Sequence, residues 1–118
     1  MTSPERPKIE KVDAEYFVNL RTEGKLLFEL GQVYATPAVL AHLERHATYP
    51  SVLLGPHCHG DFGQLDEEDR QANDDALIHG GRILSVYFIE SKKIYVITDS
   101  VDEHGARHTS TILFPHEY

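Results

Sequence analysis

Side chains suited to chemistry are concentrated in one short stretch near the middle of this chain. Three of them, His57, His59 and Asp61, alternate along the backbone and offer the nitrogen and oxygen ligands that zinc, manganese and iron accept. A metal held there would activate water, with a nearby carboxylate as general base. Asp69 and Asn73 follow in the same stretch and join His57 and Asp61 as candidate catalytic residues. One hypothesis is therefore a small metal-dependent hydrolase.

The same residues also fit a purely structural role. A His-x-His-x-Asp pattern often arises by chance, and the sequence has no second ligand cluster of metal-site spacing. In the structural interpretation, Asp61 caps or braces the turn 60–63, Phe62 fills the core and His57 hydrogen-bonds to the backbone. Cys58, the single cysteine, is either a thiol made reactive by its histidine neighbours or a small, semi-buried loop residue. The turn does not resemble a phosphate loop, because no Gly-Lys-Ser/Thr follows it.

A helix is predicted directly after this turn. Asp66 is its expected N-cap, acidic residues fill its first turn, and Gly80-Gly81 ends it. Projected at about 100° per residue, one face carries Asp69, Ala72, Asn73, Ala76, Leu77 and Gly80, and the other carries Arg70, Gln71, Asp74, Asp75 and Ile78. The small residues of the first face allow close packing, so Asp69 and Asn73 should point partly inward and need hydrogen-bond partners. We expect one of them to bind the turn 60–63.

The chain is acidic, with 19 Asp and Glu residues, 11 Lys and Arg residues and a net charge of −8. That balance disfavours direct binding to nucleic acid or to an anionic membrane, both of which bind basic surfaces. It favours a partner protein with a basic surface. The expected interaction surface is the acidic start and outward face of the same helix: Asp66, Glu67, Glu68, Asp74 and Asp75. The alternative is an ordinary solvated helix face.

Before residue 27 the sequence predicts an N-terminal extension, residues 1–26, attached to a single domain, residues 27–118. Met1–Lys8 is polar and contains prolines, as in a mobile tail. Apolar residues then recur at spacings of three and four, which predicts an amphipathic helix from Ile9 to Leu20. Its buried face comprises Ile9, Val12, Tyr16 and Leu20.

Three short elements are predicted between the extension and the histidine-rich stretch. Lys25–Thr36 is typical of an edge strand or short hairpin, broken at Gly31. Thr36-Pro37 predicts a helix start, because Thr caps free N–H groups and Pro needs no partner there. That helix should end near His46 and bury Val39, Leu40 and Leu43, and its His42 and His46 are spaced to allow metal binding. A short helix over Tyr49–Pro56 should be closed by Gly55 and Pro56.

The last third of the chain predicts a β-meander. Ile83–Ile89 is nearly continuous apolar sequence, as in a strand covered on both faces, and Lys93–Thr98 and Thr109–Phe114 follow as further strands. The C-terminal residues 115–118 should fold back onto the sheet. The predicted fold class is α+β, with an antiparallel β-meander sheet and three to four helices packed mainly on one face. Ser85 and Ser110 fall on strands without a nucleophile-elbow pattern, so serine catalysis is not indicated.

Location and assembly follow from composition and length. The 118 residues fit one domain with its own core. No segment approaches the roughly 20 apolar residues of a membrane span, and the first residues do not resemble a signal peptide. With a single cysteine, a reducing compartment fits and a cytoplasmic location is expected. The apolar strand Ile83–Ile89 could be covered by the N-terminal helix or by a second subunit, so a homodimer is allowed.

Several motifs in order resemble a family of small bacterial proteins often labelled plasmid-related, over about residues 27–118. The motifs are Leu30-Gly31-Gln32-Val33-Tyr34-Ala35-Thr36-Pro37, His57 with Gly60-Asp61-Phe62-Gly63, Glu68-Asp69 with Asn73-Asp74-Ala76-Leu77, Arg82-Ile83-Leu84-Ser85-Val86-Tyr87, Ile94-Tyr95-Val96-Ile97-Thr98 and Thr111-Ile112-Leu113-Phe114-Pro115-His116-Glu117-Tyr118. The resemblance implies a mobile-element setting but no particular reaction. The family commonly has Ser at the position of His59 and usually Trp at that of Phe62, which argues against a family-wide metal site at His59.

Two functions remain open from the sequence, and they differ in whether the chain is an enzyme. The favoured interpretation is a non-enzymatic, acidic protein-interaction module of a mobile element that modulates a host or plasmid system and needs no cofactor. The alternative is a small metal-dependent hydrolase that uses the His57/His59/Asp61 loop and a divalent metal such as zinc.

Overall fold

Helices precede a β-meander in residues 14–118, the part of the chain that the computed structural model describes. The elements are α1 Ala14–Thr22, β1 Gln32–Ala35, α2 Pro37–Arg45, α3 Pro50–Cys58, α4 Glu67–His79, β2 Ile83–Ile89, β3 Lys92–Thr98, β4 Thr109–Leu113 and a 3₁₀ turn over Pro115–Glu117. The predicted α+β class is confirmed. The predicted tail Met1–Lys8 and the apolar positions Ile9 and Val12 lie outside the described residues.

The sheet is mixed, and the prediction of a purely antiparallel sheet is wrong. Its strand order is β1-β4-β3-β2, with β2, β3 and β4 forming the expected antiparallel meander. β1 lies at the outer side of β4 and runs parallel to it. A parallel neighbour needs a long crossover, and here the whole segment from α2 to β3 separates the two strands. Glu90 and Ser91, with φ of 50° and 66°, form the tight turn between β2 and β3.

Two apolar clusters form the core. In one, α2 and α3 pack on a face of the central strands and bury Val39, Leu43, Leu53, Ile94, Val96, Ile112 and Phe114. In the other, α1, α4 and the segment before α4 pack around β2 and bury Phe17, Leu27, Phe62, Leu65, Ala76, Leu77, Ile83 and Val86. Helices therefore cover one face and the β2 edge of the sheet. The histidine-rich stretch runs from the end of α3 toward the start of α4.

Cap signals predicted the helix boundaries well. Thr36 Oγ1 accepts a hydrogen bond from the Val39 amide at 3.3 Å at the start of α2. Asp66 Oδ1 accepts from the Asp69 amide at 2.8 Å at the start of α4. Gly80 ends α4 in the left-handed conformation with φ 84°. These three predictions are confirmed.

Other local predictions were wrong. In α1, Leu20 packs against the core as expected, but the buried side chain is Phe17, whereas Tyr16 is 38% exposed. In α2, Val39 and Leu43 are buried as expected, but Leu40 is exposed. The segment before Gly31 forms no strand within the described residues, and β1 begins only at Gln32.

The third helix is longer than the sequence indicated, and this changes the setting of two candidate residues. α3 continues through Gly55 and Pro56 to Cys58, so His57 and Cys58 are helical and not part of a loop. A proline inside a helix removes one hydrogen bond. Here the His59 amide still donates to the Gly55 carbonyl at 3.2 Å, and His57 adds contacts with the sheet.

The C-terminus folds back as predicted, with the Tyr118 ring 6.4 Å from the Tyr95 ring of β3. Among residues 14–118 no helix combines the length and apolar character that crossing a membrane requires.

Candidate functional site

His57 occupies the centre of a buried polar network. The last turn of α3 places its ring against the sheet, where the side chain has no exposed surface. Its Nδ1 lies 2.5 Å from Ser85 Oγ on β2, and its Nε2 lies 2.8 Å from Thr98 Oγ1 on β3. The expectation of a hydrogen bond to backbone was therefore wrong, because both ring nitrogens are hydrogen-bonded to side-chain hydroxyls on the strands.

The direction of each hydrogen bond follows from the far end of the network. Ser110 Oγ on β4 donates its only proton to the Leu30 carbonyl at 2.7 Å, so Thr98 must donate in the 2.7 Å bond between these two hydroxyls. Thr98 then accepts from His57 Nε2–H. This leaves His57 Nδ1 as the acceptor of the Ser85 proton. The Leu30 carbonyl thus determines the tautomer of His57. Together these hydrogen bonds connect α3 to β2, β3 and β4.

His57 is held neutral in this setting. Burial lowers the pKa of His57 to about 3, and the positive charge of Arg107 acts in the same direction. A neutral ring matches the network, since one nitrogen must donate and the other accept. Every buried side-chain nitrogen and oxygen among the described residues has a hydrogen-bond partner, so no polar atom of the network is left unpaired.

The Ser85–His57 pair resembles a nucleophile with its base but lacks what catalysis requires. The Ser85 hydroxyl donates to a neutral imidazole, as in a serine-histidine pair. However, both side chains are completely buried, and the group that orients the ring is Thr98 instead of a carboxylate. The arrangement therefore serves packing in this conformation.

The three predicted metal ligands do not converge. Both nitrogens of His57 are already hydrogen-bonded, and His59 Nδ1 is 2.8 Å from the Gly55 carbonyl of its own helix. Asp61 Oδ1 accepts from the Gly63 amide at 3.3 Å. Within residues 14–118 no three His, Cys, Asp or Glu side chains are grouped as a metal site would need. The geometry gives no support to the hydrolase hypothesis.

Cys58 has the environment of a structural cysteine. It is 5% exposed, and its Sγ lies 3.5 Å from the Gly55 carbonyl and 3.7 Å from His59 Nδ1. Burial raises the pKa of the Cys58 thiol, which lowers its thiolate fraction. The structural interpretation of this residue is the better supported one.

The turn 60–63 is braced by Asp61, and Phe62 plugs the core beside it. The Asp61 carboxylate accepts a hydrogen bond from the Gly63 amide at 3.3 Å. The backbone carbonyl of Asp61 accepts one from the Tyr87 hydroxyl at 2.5 Å. Phe62 is 6% exposed. Burial is the main cause that raises the pKa of Tyr87, so this hydroxyl remains a donor.

Asn73 does not bind that turn, which corrects the prediction for it and for Asp69. Its side-chain amide donates to the Leu84 carbonyl at 2.7 Å and accepts from the Leu84 amide at 3.0 Å. Asn73 therefore pairs with the free edge of β2 as a neighbouring strand would. Asp69 is exposed, and the α4 side chain that reaches the turn is Arg70, 3.5 Å from the Gly63 carbonyl.

Arg107 is a buried cation that sequence reasoning missed. It is 7% exposed and donates to the carbonyls of Gly81, Asp99 and Ala76. Its guanidinium also lies 5.7 Å from the centre of the Phe28 ring. The negative end of α4 favours a cation at this position. Burial lowers the pKa of Arg107 to about 10, so it remains charged at neutral pH. No sequence pattern distinguished it from the other residues of its polar loop.

The pair His42 and His46 is also explained by packing. His42 is buried and its Nε2 lies 2.8 Å from the Ile89 carbonyl. The two imidazole rings are 4.6 Å apart, and the His42 ring is 5.7 Å from the ring of Phe114. His42 thus joins α2 to the end of β2.

The predicted acidic surface is exposed on one element. Its five members are Asp66, Glu67, Glu68, Asp74 and Asp75, and all of them are exposed along α4 and its N-cap. Three of them have partners: the Asp69 amide donates to Asp66 at 2.8 Å, Arg21 lies 3.9 Å from Asp74, and Gln71 donates to Asp75 at 3.1 Å. The other face of α4 holds the buried Asn73, Ala76 and Leu77. Ala72, predicted on that face, is exposed.

Two groups of candidate residues stand out, a buried one centred on His57 and an exposed acidic one on α4, while Asp61 is exposed in the turn between α3 and α4 and His59 is half-buried. The first joins helix to sheet, and the second faces solvent. Comparisons of the chain with models of protein families, with curated proteins and with solved structures found no match.

Proposed function

We propose that this protein is a non-enzymatic interaction module whose working surface is the acidic face of α4. The observation that carries the proposal is the division of the candidate residues. His57 and Asn73 are buried and hydrogen-bonded within the fold, whereas a run of carboxylates faces solvent on a helix whose opposite face is packed. The partner is a protein with a basic surface in the cytoplasm.

The electrostatics of the chain support a basic partner. Its net charge of −8 attracts cationic surfaces over distances of the Debye length, about 8 Å at physiological ionic strength. Two basic side chains, Arg21 and Arg70, have contacts with α4 or with the turn before it. In the mobile-element setting that the sequence resemblance implies, such a protein would occupy a nucleic-acid-binding surface of a host or plasmid protein.

Charge reversal tests the proposal with a matched control. The test variant is Glu68→Lys with Asp75→Lys on α4. The control is Glu44→Lys on α2 with Glu90→Lys at the β2–β3 turn, both exposed positions. Each reversal adds two positive charges, so both double variants change the net charge from −8 to −4.

The measurement is capture of proteins from a bacterial lysate, followed by titration with the captured protein at low and high salt. We expect the α4 variant to lose binding and the control to keep most of it, since a local surface and not net charge sets the contact. Affinity should fall as salt rises. Equal binding by both double variants, or binding that salt does not change, would contradict the proposal.

A further inference from the structure

Within residues 14–118 no strand pairs with the outer edge of β1. The amides of Gln32 and Thr36 donate to the carbonyls of His108 and Ile112 on the β4 side, at 2.8 Å and 3.1 Å. Because hydrogen-bonding direction alternates along a strand, the N–H and C=O groups of Val33 and Ala35 point away from the sheet. Within residues 14–118 these four groups have no hydrogen-bond partner.

The opposite edge of the sheet is covered over Leu84 and Val86, in contrast to β1. On β2, the backbone of Leu84 is paired by the Asn73 side chain. The backbone of Val86 is paired by the Phe62 carbonyl at 2.9 Å and the Gln64 amide at 2.8 Å. Proteins commonly protect open edges with charge, proline or bulges. β1, with the sequence Gln-Val-Tyr-Ala, has no charged residue and no proline.

We propose that β1 pairs with β1 of a second copy of this chain, antiparallel, about a two-fold axis at Tyr34. In this register Val33 faces Ala35 of the second copy, and Ala35 faces Val33. All four outward groups of each copy then form hydrogen bonds, four bonds in total, as antiparallel pairing allows. The two sheets join into one continuous sheet, and the contact closes on itself as a two-fold dimer requires.

The flanking residues fix this register. A shift of the centre to Val33 brings Gly31 opposite Ala35, and Gly31 leaves the strand with φ 66°. A shift to Ala35 brings Pro37 opposite Val33, and proline has no N–H to donate. Only the register centred on Tyr34 keeps every outward group of β1 paired within the strand.

The side chains of β1 suit a second copy in particular. Tyr34 is 57% exposed, and in the proposed register it directly faces Tyr34 of the other copy in a non-hydrogen-bonded pair. Cross-strand aromatic pairs stabilise a sheet at such positions. Since β1 is uncharged in a chain of net charge −8, the strand itself brings no like charges together when two copies meet.

Sedimentation equilibrium of the full chain over a concentration series tests the dimer. Val33→Pro removes one outward N–H from each copy while every β1–β4 bond remains, since Val33 donates none of them. Two of the four intermolecular bonds are lost, and dimerisation should weaken about 30-fold. Tyr34→Asp, which places two carboxylates face to face, should also yield monomers. The control Phe88→Asp, at an exposed position on β2, should dimerise normally.

Hydrogen exchange of the Val33 and Ala35 amides distinguishes the occupants of the edge. Protection that rises with concentration, and is lost in Tyr34→Asp, is the expected result. A protein that stays monomeric at all concentrations would overturn the proposal, whether these amides exchange freely or are protected by another part of the chain. Dimers that survive both β1 substitutions would overturn it as well. The double variant Glu68→Lys with Asp75→Lys should still dimerise, which separates this proposal from the proposed function of α4.

Discussion

The buried His57 predicts that the protein loses stability in mildly acidic solution. Burial, and secondly the charge of Arg107, lowers the pKa of His57 from 6.5 to about 3 in the folded chain. Between these two pH values the unfolded chain binds a proton that the folded chain does not. Stability contributed by His57 is therefore complete above about pH 6.5 and is lost progressively as the pH falls toward 3.

The magnitude follows from the same two pKa values. One pKa unit corresponds to about 1.36 kcal/mol. A pH of 5 is about 1.5 units below the pKa of His57 in the unfolded chain, so the free energy of unfolding should be about 2 kcal/mol lower than at neutral pH. The loss should reach roughly 4 kcal/mol at pH 3, a large share of the stability of a small domain.

Urea unfolding at pH 7, 6 and 5 measures this loss, with His57→Gln as the comparison. Glutamine does not titrate, and its amide can accept from Ser85 and donate to Thr98, so the variant keeps polar partners in the core. Asp102 and Glu117 have pKa values lowered chiefly by backbone hydrogen bonds. Their stabilisation is lost below about pH 5, near their unfolded pKa values, and equally in both proteins.

We expect the wild-type protein to lose about 2 kcal/mol more than His57→Gln between pH 7 and pH 5. Parallel pH profiles for the two proteins would refute the reasoning. Nitrogen NMR of the His57 ring gives an independent check at pH 7. Protonation at Nδ1 instead of Nε2 would contradict the donor and acceptor roles that follow from the hydrogen bond of Ser110 to the Leu30 carbonyl.

Two further predictions concern the covered edge of β2. A Cβ atom at Gly63, which has φ 75°, would lie 1.9 Å from the Val86 carbonyl oxygen, so Gly63→Ala should cost at least ~3 kcal/mol in urea unfolding. The matched change Gly55→Ala, with no atom within 4 Å of the added Cβ, should instead stabilise α3 by about 0.5–1 kcal/mol. Equal changes in the free energy of unfolding for the two variants would contradict the close contact of Gly63 with Val86. Asn73→Ala should cost roughly 2–3 kcal/mol, because it leaves both backbone groups of Leu84 without the Asn73 side chain. A thermal midpoint unchanged from wild type would show that these two bonds carry no stability.

Local hydrogen-bonding signals in the sequence predicted the elements that depend only on near neighbours. The caps at Thr36 and Asp66 each involve an amide three residues away. The amide of the left-handed Gly80 donates to the Ala76 carbonyl of the same helix. The meander strands are likewise recognisable, because adjacent strands joined by short connections pair in order. These elements account for the confirmed fold class.

The features that were missed depend on residues far apart in the chain. Ser85 and Thr98 lie 28 and 41 positions from His57, and no local pattern indicates that α3 meets them. The extension of α3 past Pro56 has the same origin, since contacts with the sheet override a local helix-ending signal. Asn73 is intermediate: its inward direction was predictable from helix projection, but its partner Leu84 was not.

Asn73 connects the acidic helix α4 to the strand that carries Ser85 of the buried His57 network. Its side chain makes the two hydrogen bonds that fix the middle of α4 to Leu84, and Leu84 is the neighbour of the network residue Ser85. The exposed carboxylates before and after Asn73 are thus presented from a helix attached to the most buried part of the sheet. A partner that binds these carboxylates would meet a surface already fixed in position, so little conformational entropy is lost on binding. If Asn73→Ala loosens α4 without unfolding the sheet, affinity for a basic partner should fall even though no charge has changed.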